Sequence, residues 1–120
     1  MDFEFSEEHK MLREAIRDFA EKEIAPLVEE AEAKEKFPEE LFAKMGELGY
    51  LCLSYPAEYG AGDMGLVGEC IAIEELSRVS VGIAGRLMAQ ACEEYLRKLE
   101  KITEEQKQKY LVPAIKGQKI

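Results

Sequence analysis

The sequence predicts an all-α fold, an antiparallel bundle of about five to six helices in one domain over residues 1–120, and three observations predict it. Apolar residues recur at steps of three and four through most of the chain. Helix start and stop signals fall at Ser6, Pro38, Gly49, Thr103 and Gly117, between the apolar runs. Charged residues make up 34% of the chain and aromatic residues only 8%, a balance that suits exposed helical faces. At 120 residues the chain is long enough to bury a real core and short enough for one domain.

The elements follow in order. Ser6 is an N-cap, Glu7 and Glu8 sit at the positive end of the helix dipole, and Leu12, Ile16, Phe19, Ile24, Leu27 and Ala31 form an apolar stripe. Pro26 removes a backbone donor from that helix and is expected to kink or split it near Ala25. In "FPEELFAKMGELG", Pro38 opens a second helix that places Leu41, Phe42, Met45 and Leu48 on one face and ends at Gly49. After a glycine-rich loop, "LVGECIAIEELSRVSV" is apolar around most of its circumference, with Glu69, Glu74, Glu75 and Arg78 as a narrower polar edge. Such a helix is expected to be buried centrally. The "CIAI" run also fits a strand, though the two glutamates after it disfavour one. A further long helix is expected from about Val81 to Lys101, with a stripe that includes Ala84, Leu87, Met88, Cys92, Tyr95 and Leu99. Thr103 and Gln106 form a capping box for a last helix that Pro113 bends and Gly117 ends.

Charge excludes some functions. A net charge of −9 and a pI near 4.7 leave no clustered cations to displace counterions from a nucleic acid. Cys52, Cys70 and Cys92 are widely spaced and set in apolar sequence, which suits reduced thiols rather than a disulfide framework. His9 lies far from all of them, so no metal site is expected. No secretory leader and no long uncharged apolar run is present, and a soluble, cytoplasmic protein without a membrane partner is expected.

"GAGDMG", residues 60–65, satisfies G-x-G-x-x-G. A dinucleotide fingerprint must leave a strand, turn tightly and open a helix, with a ribose-binding carboxylate about 20 residues on. Pro56, Glu58 and Tyr59 separate the run "LCLSY" from Gly60, and the position of the carboxylate falls near Ser80 inside a helical pattern. A βαβ unit cannot be built around it.

The order of the motifs is more specific. "PAEYGAG" (56–62), "EELSR" (74–78), "VGIA" (81–84) and "EEQKQKYL" (104–111) together resemble the amino-terminal helical domain of the acyl-CoA dehydrogenase family, and the resemblance covers nearly the whole chain. It implies an FAD-dependent oxidation of acyl-CoA to trans-2-enoyl-CoA, with electrons passed to an electron-transfer flavoprotein. In that family a middle β-barrel domain and a carboxy-terminal helical domain hold the FAD and the catalytic base. The chain is therefore expected to be a domain or fragment, without FAD or catalysis of its own, and neither Glu74 nor Glu75 inherits the role of base. The glycines of "GAGDMG" are expected to relieve backbone crowding.

The resemblance also implies that the helix after "EEL" walls the acyl-chain pocket, with Ala84, Gly85, Met88 and Cys92 as pocket-facing positions. Ordinary packing is the competing reading of the same four residues. Ala84 stands where family members that take dicarboxylic acyl groups place an arginine, and Arg86 points elsewhere. The segment before "TEEQK" departs from the family in staying helix-friendly to Ile102, which shifts the register of Met88 and Cys92. A stand-alone helical module that self-associates through exposed apolar surface is the alternative from another functional class.

Overall fold

The computed structural model describes residues 3–90 and 101–118, and every regular element among them is helical. Helix α1 spans Glu7–Phe19 and passes through a π turn, Ala20–Ile24, into α2, Ala25–Ala33. Helix α3 spans Glu40–Glu47, a 3-10 turn covers Ala57–Tyr59, α4 spans Gly65–Val79 and α5 spans Val81–Gln90. The last run is α6, Glu104–Gln106, a second π turn, Lys107–Leu111, and α7, Val112–Ile115. This is the expected all-α bundle, with about five principal helices.

The caps act as the sequence implies. Ser6 Oγ accepts the His9 amide at 3.2 Å. The Thr103 hydroxyl accepts the Gln106 amide at 3.2 Å, while the Gln106 side chain accepts the Thr103 amide at 3.0 Å. Pro26 does split the first helix, by widening a turn rather than by a sharp bend: the Ala25 amide donates to the Ala20 carbonyl, five residues back. Before Pro113 the Val112 amide reaches the Lys107 carbonyl in the same way.

One core joins the described parts of the chain. Ile16 and Ile24 from the first helical run, Leu41, Phe42 and Met45 from α3, Leu76 from α4, and Leu111 and Ile115 from the last run are all essentially inaccessible to water. Leu51, Cys52, Leu53 and Tyr55 are buried with them, so the segment before the glycine loop is core and not surface. At the back of this core α3 meets the chain's end backbone to backbone. A methyl group on Gly46 would lie 2.1 Å from the Lys116 carbonyl oxygen, and one on Gly117 would lie 2.1 Å from that of Phe42.

Three expectations need correction. Leu48 lies beyond the end of α3 and is 52% exposed, because the helix closes at Glu47 before its apolar stripe does. Helix α4 is not buried all round: Ile71, Ala72 and Leu76 face the core, whereas Leu66, Val67 and Cys70 face outward. Glu75, assigned by pattern to the polar edge, is instead buried, at 2% exposure. The long helix expected to reach Lys101 is described to Gln90; Lys101 and Ile102 lie in a turn, and residues 91–100 are outside the described residues.

Candidate functional site

The glycine loop can be tested as a phosphate cradle by asking where its amides go. The Gly60 amide donates to the Ala57 carbonyl at 2.9 Å, the Asp63 amide to Tyr55 at 3.0 Å, and the Met64 amide to Leu53 at 2.7 Å. The open side of Gly62 is filled by the Leu53 side chain and the Gly49 carbonyl, 2.5 Å and 2.9 Å from where a Cβ would stand. A pyrophosphate needs free amides and an unfilled cradle. With these three amides taken up and the space at Gly62 filled, the loop does not fit the group that the G-x-G-x-x-G spacing suggests. Gly62 relieves crowding as expected, whereas the space beside Gly65 is open and its φ of +69° is what favours glycine there.

Helix α5 carries the residues expected to face a pocket. Ser80 breaks the chain into an extended conformation after α4 and caps the new helix: its hydroxyl accepts the Ile83 amide at 3.2 Å and its carbonyl the Ala84 amide at 3.0 Å. Ile83 and Ala84 then enter the core. On the other side Val81 is 73% exposed and Met88 54%, Gly85 is exposed, and a Cβ on Gly85 would touch nothing. Ala84 thus packs inward, Gly85 and Met88 share an open face, and Cys92 lies outside the described residues. Arg86 is exposed and lines a cleft shared with α2.

Both glutamates of "EEL" face arginines. Glu74 is exposed and lies 4.0 Å from Arg13. The Glu75 carboxylate accepts two hydrogen bonds of 2.9 Å from Arg17 and one of 3.1 Å from Arg78, with Arg13 Nε 3.6 Å away. These Arg17 hydrogen bonds hold its carboxyl below the ordinary value; burial opposes them, and the charges of Arg17 and Arg78 add to the lowering. A carboxylate so held joins α1 to α4.

A second tie was not foreseen. The Tyr59 hydroxyl donates to Glu104 at 3.1 Å, and the Lys107 ammonium donates to both the Tyr59 oxygen and Glu104 at 3.2 Å. Lys107 is held in its charged form chiefly by the Tyr59 hydrogen bond. The "PAEYGAG" and "EEQK" motifs, 45 or more residues apart, therefore meet in space. Pairing at that distance leaves no mark in one sequence, although motifs recurring in a fixed order hint at contact. Among the described residues no cluster of His, Cys, Asp and Glu could hold a metal, and no helix is long and apolar enough to cross a membrane.

An all-helical bundle whose sequence motifs serve as ties between elements, with one helix face left open, defines a helical domain class rather than a nucleotide-binding fold. The model of the acyl-CoA dehydrogenase N-terminal domain matches residues 6–118, and the chain belongs to the acyl-CoA dehydrogenase family. It is 39% identical to the short-chain specific acyl-CoA dehydrogenase of Clostridium acetobutylicum, covering 100% of this chain and 32% of that protein. It is 36% identical to the 3-(aryl)acrylate reductase of Clostridium sporogenes, over 96% of this chain and 30% of that one. Among solved structures, the butyryl-CoA dehydrogenase of Megasphaera elsdenii superposes with a TM-score of 0.85 at 31% identity, over 100% of this chain and 32% of that one. A chain in the structure of the electron transferring flavoprotein of Acidaminococcus fermentans gives 0.85 at 39%, with the same coverage. The chain thus spans about a third of the length of the relatives it matches.

Proposed function

We propose that this chain is the amino-terminal lobe of an FAD-dependent acyl-CoA dehydrogenase and that α5 supplies part of its acyl-chain pocket wall. The observation that carries the reading is the family match over residues 6–118 together with the 39% identity to a short-chain enzyme. FAD would supply the acceptor for the substrate's β-hydride, leaving electrons for an electron-transfer flavoprotein. This chain's part is to orient the acyl group and keep water from it. The open α5 face, with Val81, Gly85 and Met88, is apolar and uncharged, as an alkyl chain requires. Ala84 sets the depth of that face by packing into the core.

A chimera tests this: the chain joined to the remaining two thirds of the Clostridium acetobutylicum relative should bind FAD and oxidise short acyl-CoA substrates. Met88→Trp in that chimera should lower kcat/KM for longer acyl chains at least tenfold more than for the shortest. An unchanged chain-length profile would overturn the placement of Met88. The chain by itself should show no flavin absorbance, the FAD contacts and the base lying on the other domains. The rival reading, a self-associating helical module, draws on the exposed Leu66, Val67, Val81 and Met88; sedimentation of the chain as a monomer at high concentration would count against it.

A further inference from the structure

Where α2 ends, the chain turns through residues 34–39 and leaves Phe37 as a half-buried wedge, its ring 4.8 Å from that of Phe42. On each side of the wedge is a cleft of about 280 Å³. One is floored by Leu27 and Ala31, the other by Val28 and Ile83, and both share Phe37 and Pro38. Each is the size of one or two large apolar side chains. Together they form a two-lobed groove with an aromatic ridge.

The rim carries an unbalanced charge. Lys34 is taken up by Glu30 one turn back. The exposed carboxylates Glu32, Glu35, Glu39 and Glu40 have no ion pair among the described residues, and the only rim cations left to face them are Lys36 and Arg86. An acidic stretch alone is a solvated face, but here it borders two clefts, and the one over Val28 and Ile83 is lined mainly by apolar atoms that water covers at a cost. We infer that this groove docks a basic amphipathic segment of a partner protein, which sets one apolar side chain on each side of Phe37 and its lysines or arginines against the carboxylate rim. Apolar anchors give such contacts their affinity, and the complementary charge sets orientation and association rate. A second copy of this chain, acidic overall, is a poor occupant, and an anionic lipid surface is a worse one. The inference does not depend on the acyl-pocket reading, since α5 turns Ile83 and Arg86 toward the groove and Gly85 and Met88 away from the core.

The test is a titration of the isotope-labelled chain with a synthetic amphipathic helix of leucine and lysine, about four turns long, followed by amide chemical shifts at roughly 0.15 M salt. Saturable shifts confined to residues 27–40 and 80–86 are expected. The matching leucine–glutamate peptide should produce none. Phe37→Ala should weaken binding at least tenfold, and the surface change Glu39→Lys with Glu40→Lys should do the same without touching the core. Shifts spread over other acidic stretches such as Glu7 and Glu8, equal binding of the acidic peptide, or unchanged affinity in the Glu39 and Glu40 double variant would each overturn the inference. So would dimerisation of the chain through Phe37.

Discussion

Glu75→Gln should destabilise the bundle by about 2 kcal/mol at neutral pH. Glu75 is 2% exposed and takes three hydrogen bonds from two guanidinium groups. Removing one member of a buried ion pair costs about 3–5 kcal/mol when the partner is left dry. Here the side chains of Arg17 and Arg78 are 48% and 57% exposed, so they regain water. Glutamine also keeps the volume and one acceptor oxygen, and the lower figure follows. The sign with pH is fixed by the direction of the shift. Glu75 lies below its ordinary value of 4.5 in the folded chain, so its contribution is complete above about pH 5 and is lost as pH falls through the lowered value. Urea unfolding followed by circular dichroism at several pH values is the assay. The gap between the two proteins should hold from pH 7 to 5 and narrow below 4.5. A gap that is absent at pH 7, or that stays constant down to pH 3, would refute the placement of the charge.

Three further outcomes follow from the packing. Gly46→Ala drives a methyl group against the Lys116 carbonyl and should cost about 3 kcal/mol, read as a lower urea midpoint; full stability would mean that α3 and the chain's end do not touch. Iodoacetamide at pH 8 should modify exposed Cys70 readily and spare Cys52, whose thiol burial pushes up to about 12, until denaturant is added; peptide mass analysis that finds equal rates would contradict the burial. Thr103→Ala removes the capping hydroxyl and should cost about 1 kcal/mol, with faster amide exchange in the Glu104–Leu111 run than elsewhere.

Local grammar carried most of the fold into the sequence. Ser6, Thr103 with Gln106, Gly49 and Gly117 mark ends that depend on neighbouring residues only, so a single chain displays them. Burial on a nearly all-apolar helix is another matter. In α4, Leu66 and Ile71 look alike in composition, and the elements packed on α4, chiefly α1 and α5, decide which is covered. Glu75 shows the same limit from the polar side: a glutamate in an "EEL" run reads as solvent-exposed until Arg17 is brought to it across 58 residues of chain. The candidate wall was reached through family likeness. The structure adds that Ala84 and Met88, one helical turn apart, are divided between core and open face.

The first π turn is tied to the proline that follows it. The buried residues Ile16, Phe19, Ala20 and Ile24 recur at steps of three and four, so the wider turn leaves no break in the apolar pattern. A residue inserted into an α-helix turns all that follows by about 100°, and a π turn absorbs it so that the stripe stays on one face. The wider turn also gives Pro26 its place, since the ring and the missing amide cannot be fitted into a regular interior turn without a loss of about 3 kcal/mol. Insertion and proline therefore depend on each other. Deleting the exposed Glu21 would close the wide turn and leave no room for Pro26, so the deletion alone should cost about 3 kcal/mol or more. Combined with Pro26→Ala, the same deletion should recover most of that loss, because a regular helix could then take the place of the wide turn. If the deletion is equally damaging with and without the proline, the π turn answers to contacts of α2 elsewhere and not to the residue that follows it.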